Sequence, residues 1–296
     1  MEVVTGLGNL AGRTYGPSRF RVSRAQVAAF VAASGDDPER WHTHAPPSFA
    51  GAVLFKVATS FLRDPEVASH ARLLIHGEQT FTWRRPWRIG DALTISARVD
   101  RLRERAGTAF VNFGAEVADS ADRTVLSSRS LFLMSPETPP GGTAAERSEP
   151  SAEARRANAV PRAESLPAVG ESLTPLAKSV SRTDLVRYAA ASEDFNPVHW
   201  DHIRAVESGV GGVICHGLLM AAWATQPAAA SSSRPRPLAR ARFRFRRPLY
   251  PDQAALVTTT VKSRDERRTV LNSRVSSEAG DHVSASIEMQ TDDGGG

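Results

Sequence analysis

Two stretches decide the fold: VSRAQVAAFVAAS, Val22 to Ser34, and VSRTDLVRYAAAS, Val180 to Ser192. They match without a gap at a constant offset of 158 residues. Further along, FTWRRP (Phe81 to Pro86) matches FRFRRP (Phe243 to Pro248), and RLRER (Arg101 to Arg105) matches SRDER (Ser263 to Arg267), both at an offset of 162. The change of offset implies a small insertion in the second half between the two blocks. Similarity at a fixed offset points to duplication of one structural unit.

Each copy begins with a helix. Ala25, Val27, Ala28, Val31 and Ala32 recur at helical spacing behind a capping Ser23, and Leu185, Val186, Ala189 and Ala190 do so behind Ser181. A second, more apolar helix follows: GAVLFKVATSFL (51–62) in the first copy, HGLLMAAWATQ (216–226) in the second. Four segments of strand character come next in each. They are HGEQTFTW, DALTISARV, TAFVNFGAEV and SSRSLFLMS, then ARARFRFRRP, AALVTTTV, TVLNSRVSS and HVSASIEMQ. Helix first, then consecutive antiparallel strands, describes an α+β unit whose sheet wraps a central helix. Between the copies, residues 136–172 are rich in Pro, Ala, Ser, Glu and Arg and poor in large apolar residues. They cannot bury enough surface to offset the entropy of ordering and are expected to form a flexible linker. The expected domains are therefore 1–135 and 173–296.

Composition narrows the function classes. The chain has 296 residues, 41% hydrophobic and 23% charged, which suits packed globular domains. No apolar run reaches the ~18–20 residues of a membrane span. The N-terminus, MEVVTGLGNLAGRTYG, lacks the parts of a secretion signal. A lone cysteine, Cys215, allows no internal disulfide. A cytoplasmic protein is expected. The net charge of +5 is carried mainly by arginine and suits phosphate-bearing ligands. Neither a zinc-ligand spacing nor a nucleic-acid-binding module is visible, so no metal and no nucleic-acid partner are expected.

The segment that carries chemistry is SEDFNPVHWDHIRA, Ser192 to Ala205, followed by GGVICHG, Gly211 to Gly217. Its Ser192, Asp194, Asn196, Pro197, His199, Asp201 and Ala205, with the later His216 and Gly217, resemble the signature of the MaoC-like, or (R)-specific enoyl-thioester hydratase, family. The resemblance implies a double hot-dog fold and a hydro-lyase acting on acyl thioesters. The substrate would be borne by coenzyme A or an acyl carrier protein, with no separate cofactor. By the same resemblance Asp194 and His199 share one catalytic water, and the backbone N–H of Gly217 stabilises the thioester oxygen. Asn-Pro favours a turn that folds the Asp–His spacing together. Asn196 is expected to orient the pair by hydrogen bonding, and Pro197, Ser192 and His216 to support it. Glu193 is expected to face solvent, Trp200 to shape the acyl pocket, and Cys215 to be structural. The alternating arginines of ARARFRFRR line one strand face, a solvated face or one that contacts substrate phosphate through Arg242 and Arg244.

The first copy lacks this set. Asp36 matches Asp194, but Trp41 stands where His199 does, and Pro38 and Glu39 replace Asn196 and Pro197. Asp37 and His42 repeat the five-residue spacing without the turn. The loop-like HAPPSFAG, with Pro46 and Pro47, suggests a shortened central helix that leaves room for an acyl chain. The first copy is therefore expected to be non-catalytic and to form the acyl pocket, with His76 a structural residue at a strand start. A non-catalytic acyl-thioester-binding subunit, a hot-dog thioesterase and homodimerisation all remain open on sequence.

Overall fold

The computed structural model describes residues 7, 9–137, 160, 161, 163–235 and 237–290. The first half runs β1 (Thr14–Arg21), α1 (Arg24–Ser34), a 3-10 turn (Pro47–Phe49), α2 (Ala50–Leu62), α3 (Pro65–His70), then β2 (Leu73–Trp83), β3 (Ala92–Arg105), β4 (Thr108–Asp119) and β5 (Thr124–Ser135). The second runs β6 (Leu176–Lys178), α4 (Arg182–Ser192), a 3-10 turn (Pro197–His199), α5 (His202–Glu207) and α6 (Gly217–Ala230). It ends with β7 (Arg240–Phe245), β8 (Ala255–Arg264), β9 (Arg268–Ser277) and β10 (Gly280–Gln290).

All ten strands form one antiparallel sheet, ordered β1-β3-β4-β5-β2-β7-β10-β9-β8-β6. Each half contributes five neighbours in the same internal order, reversed about the central β2–β7 pair. That seam sets Glu78 against Arg244 and Phe81 against Ala241. Strand alternation decides which side chains enter the core: in β7, Ala241 and Phe243 are buried while Arg240, Arg242 and Arg244 face out. The two long helices lie in the curve of the sheet. In α6 every residue after Gly217 is buried, the pattern of a helix packed on all sides. The caps read from sequence are present: Ser23 accepts from the Gln26 amide, and Ser181 and Asp184 form a reciprocal capping box. No helix among the described residues is long and apolar enough to cross a membrane.

Two expectations need correction. The first-half central helix is not shortened, since α2 has 13 residues and α6 has 14. Pro47 opens a 3-10 turn that runs directly into α2, a position where proline costs no hydrogen bond. The halves differ instead in the chain on either side of the helix. The second half has the longer lead-in, 193–216 against 35–49, while α3 lies only in the first half between its helix and β2. The change of offset is thus the net of two opposite changes. Second, the end of the supposed linker belongs to the second half. The Thr174 amide and hydroxyl donate to Glu164, the Gly170 amide to the Val261 carbonyl, and Arg264 to the Pro167 carbonyl. Residues 138–159 lie outside the described residues.

Candidate active site

The lead-in to α6 is a chain of local devices. At the end of α4 the Ser192 hydroxyl donates to the Tyr188 carbonyl and accepts from the Asp194 amide. Glu193 then adopts left-handed backbone at φ 62°, which a glycine would adopt more readily, and reverses the chain so that Asp194 turns inward. Glu193 does not simply face solvent: its carboxylate pairs at 2.6 Å with Lys56 of α2, from the other half. The Asn196 amide donates to Asp194 Oδ1, while its side-chain oxygen accepts from the Val198 amide. Its side chain therefore shapes the turn, and its backbone orients the acid. Pro197 starts the 3-10 turn that delivers His199. Asp201 caps α5, and the Ile214 amide returns to the Val198 carbonyl, closing the loop beneath the site.

These constraints bring His199 Nε2 to 3.9 Å from Asp194 Oδ2, with both side chains buried. The gap is too long for a direct hydrogen bond and fits one water held by both groups. His199 Nδ1 lies 2.9 Å from the Ile214 carbonyl. A carbonyl only accepts, so Nδ1 carries a proton, and Nε2 is the nitrogen that faces Asp194. Burial pushes the Asp194 carboxyl above its usual range, against the opposing pull of His199 and the Asn196 amide. His216 stacks on His199 with ring centres 3.8 Å apart, and its Nε2–H donates to the Asp194 carbonyl. Burial and the charge of His199 drive His216 far below its usual range, so it stays neutral.

A cavity of about 260 Å³ opens over the pair, lined by both halves: Phe55, Leu62, His76 and Phe132 from the first, Gly217 and Phe245 from the second. Gly217 is the first residue of α6, where a helix leaves amide N–H groups without an internal partner. A Cβ at Gly217 would lie 3.2 Å from the Phe245 ring, so glycine is what lets that ring close over the helix start.

Several sequence assignments fall elsewhere. Arg242 and Arg244 are outside the cavity; both bind Glu78 across the seam, at 2.6 and 3.1 Å, because strand alternation turns them outward. Arg246 and Arg247, beyond the end of β7 where alternation no longer holds, do line the cavity, as does Arg72. Trp200 is half exposed, donates to the Phe195 carbonyl and lines no part of the cavity. His76 was missed as a lining residue. A bulge between His76 and Glu78 re-aims the strand, and the His76 ring sits between Phe132 and Phe245, held neutral with its pKa lowered to about 4 by burial. The alternation of HGEQTFTW gives no sign of that bulge beyond Gly77 itself.

Asp194, His199 and His216 are also the one set among the described residues whose ligand atoms lie within 4.8 Å of one another. His199 Nδ1 and His216 Nε2 are committed to carbonyls, and the rings stack 24° from parallel. One nitrogen of each imidazole is thus unavailable to an ion unless it gives up its bond to a carbonyl.

In the first half, Asp36 is buried but surrounded differently. Lys178 of β6 reaches across to donate to the Gly35 carbonyl at 2.7 Å, Arg40 binds the Ser232 carbonyl, and Trp41 fills the place of His199. Burial raises Asp36 to about 6 and lowers Lys178 to about 8. Among the described residues no hydrogen bond joins Asp37 to His42; Asp37 accepts from the Glu39 amide, and His42 is exposed.

Comparison with known proteins matches each half separately. Residues 165–282 match the MaoC like domain, and residues 9–128 match the FAS1-like, dehydratase domain region. A UPF0336 protein of Streptomyces avermitilis is 32% identical over 132 residues, 40% of this chain and 88% of its own length, so that relative is about the size of one half. The 3-hydroxyacyl-thioester dehydratase X of Mycobacterium tuberculosis is 27% identical over 228 residues, 75% of this chain and 72% of that protein. Among solved structures, a MaoC-like dehydratase superposes with a TM-score of 0.78 over 96% of this chain and 99% of its own at 21% identity. A Mycobacterium tuberculosis protein described as having a double hotdog fold gives 0.66 over 95% and 96% at 15% identity. Both support the fold. The chain thus carries a MaoC-like domain in its second half and a FAS1-like dehydratase region in its first, has the double hot-dog fold, and is a hydro-lyase.

Proposed function

We propose that the protein interconverts trans-2-enoyl and (R)-3-hydroxyacyl thioesters by adding or removing one water. The observation that carries this reading is the 3.9 Å separation of His199 Nε2 and Asp194 Oδ2 beside a cavity that Gly217 also lines. In the hydration direction the pair holds a water over the β carbon. Asp194 and His199 take up a proton as the water oxygen bonds to that carbon, and a proton is delivered to the α carbon from the same side. Negative charge passes through the thioester oxygen, where the Gly217 N–H and the positive end of α6 stabilise it. The carboxyl is suited to this work because burial brings its pKa closer to neutrality, where proton transfer runs readily in both directions.

The apolar lining contributed by α2, β2 and β5 gives the first half its role as acyl pocket, with catalysis confined to the second. The thioester arrives on coenzyme A or on the phosphopantetheine of an acyl carrier protein; Arg72, Arg246 and Arg247 supply cations at the cavity for its phosphates. No cofactor beyond the substrate's own carrier group and no metal takes part.

The test is hydration of crotonyl-CoA by purified protein, with product configuration determined and Asp194→Asn as control. Formation of the (R)-3-hydroxy product, abolished in the variant, supports the reading. Release of free thiol without hydration points to a thioesterase instead. Tight binding of the thioester with no turnover points to a non-catalytic subunit.

A further inference from the structure

The duplication supplies an internal control for the packing around the site. In the first half, Phe30 of α1 packs against Phe49, the residue that precedes α2, with ring centres 5.4 Å apart. In the second half, the matching positions are Tyr188 of α4 and His216, the residue that precedes α6, with ring centres 4.9 Å apart. All four rings are buried. The fold therefore fills this place with two plain aromatic rings in one half. In the half that holds Asp194 and His199 it uses two rings that carry polar atoms. Packing does not require those atoms.

The polar atoms are complementary. The Tyr188 hydroxyl and His216 Nδ1 are both buried, and neither has a hydrogen-bond partner among the described residues. His216 Nε2 spends its proton on the Asp194 carbonyl, so Nδ1 is an acceptor. Burial and the negative charge of Asp194 hold Tyr188 in its protonated form, so its hydroxyl is a donor. One buried donor and one buried acceptor, on rings whose centres lie 4.9 Å apart, are complementary, and leaving either unpaired is costly.

We infer that Tyr188 is a positioning residue for the catalytic pair. Its hydroxyl is linked to His216 Nδ1 through one bridging water. That link fixes the His216 tautomer whose Nε2–H holds the Asp194 backbone, and steadies the ring on which His199 stacks at 3.8 Å. Asp194 and His199 are thus both buttressed by one imidazole, and Tyr188 sets that imidazole's orientation. Only the kinetic part of this inference rests on the hydratase reading.

The experiment pairs Tyr188→Phe, the residue the first half already uses at this place, with nitrogen NMR of protein carrying labelled histidine. The His216 Nδ1 resonance should report a hydrogen-bonded acceptor in the wild type and move towards the unbonded position in Tyr188→Phe. On enoyl-thioester hydration the variant should lose on the order of tenfold to a hundredfold in kcat at unchanged KM, as small misplacements of reacting groups do. Its thermal midpoint should fall, because the substitution leaves the buried His216 Nδ1 without its donor. His216→Phe should show a loss at least as large, and the double variant should be no worse than His216→Phe alone. An Nδ1 resonance that does not respond to the substitution, or that reports a protonated Nδ1, overturns the inference whether or not the chain hydrates thioesters. Unchanged kcat, or losses that multiply in the double variant, overturn it on the kinetic side. Should Tyr188→Phe fail to fold, an unbonded Nδ1 in the wild type is decisive against it.

Discussion

Replacing Asp194 with asparagine should cost activity and gain stability at neutral pH. Asparagine keeps the shape of the side chain, can still accept from the Asn196 amide, and can still touch a water shared with His199. It cannot take a proton. Loss of a positioned acid–base group typically lowers rate by ~10²–10⁴, which corresponds to about 2.7–5.4 kcal/mol of transition-state stabilisation. The effect on folding has the opposite sign. Burial raises the Asp194 pKa above its unfolded value, so the folded state binds the proton more tightly than the unfolded one. The stability contributed is full below the unfolded pKa of 3.8 and is lost as pH rises through the folded value. Above that folded value the wild type holds an unfavourable buried carboxylate that the amide does not. Denaturant unfolding at pH 7 should show Asp194→Asn more stable than wild type, and the advantage should vanish towards pH 3.5. A variant less stable than wild type at pH 7 would mean that Asp194 and His199 form a net-stabilising ion pair. A variant within tenfold of wild-type turnover would refute the role of Asp194 as proton acceptor.

Three further outcomes follow from the same geometry. Gly217→Ala adds a Cβ 3.2 Å from the Phe245 ring, which His76 backs at 4.8 Å, so the ring must shift. Steady-state kinetics should show a fall of about tenfold or more in kcat/KM, while a helix-propensity gain of ~1 kcal/mol offsets much of the overpacking in melting experiments. Arg246→Ala with Arg247→Ala should raise KM for coenzyme A thioesters and flatten its salt dependence. Arg242→Ala with Arg244→Ala, which removes only the contacts to Glu78, should leave KM unchanged. Asp36→Asn with Lys178→Met removes two buried groups of opposite charge, one from each half, a change that is often neutral or stabilising by ~1–4 kcal/mol. Chemical denaturation at pH 7 should show no loss of stability, and turnover should persist; abolished turnover would mean that the first half takes part in the chemistry.

What could be read from sequence was what repeats or what is local. The duplication at Val22–Ser34 and Val180–Ser192 exposed the two-unit plan because both copies keep the same helix stripe and the same serine cap. The segment from Ser192 to His199 was legible because its geometry is set within eight residues, by a hydroxyl, a left-handed residue and a proline turn. What failed depended on distant partners. Glu193 finds Lys56 across the two halves. The arginines of β7 are sorted by strand alternation and by Glu78 on a neighbouring strand, which turns the expected phosphate ligands outward and leaves the pair beyond the strand end at the cavity. The proline pair at 46–47 looked like a helix breaker but lies just ahead of the helix, where it starts the turn. His76 enters the cavity only because a bulge at Gly77 interrupts a strand that reads as regular.

The two halves place an aspartate at matching points of the sequence, bury both, and surround them differently. Around Asp36 the second half contributes Lys178 from β6, and Arg40 lies near enough for its charge to favour the carboxylate as well. Opposite charge there reduces the cost of burial, and the large Trp41 occupies the place where an imidazole would stand. Beside Asp194, Glu193 holds Lys56 in an ion pair of its own. His199 and His216 each give an N–H to a backbone carbonyl rather than to the carboxylate. The acid is therefore left with one amide and an imidazole 3.9 Å distant. A carboxylate so poorly compensated holds its charge weakly and takes up a proton readily, which is what a reversible proton transfer requires. The site around Asp36 shows that a buried acid at this point of the fold can be compensated by a backbone amide, an indole and nearby cations, although burial still raises its pKa to about 6. The second half does not do so, and on the proposed reading that poor compensation is what suits Asp194 to proton transfer.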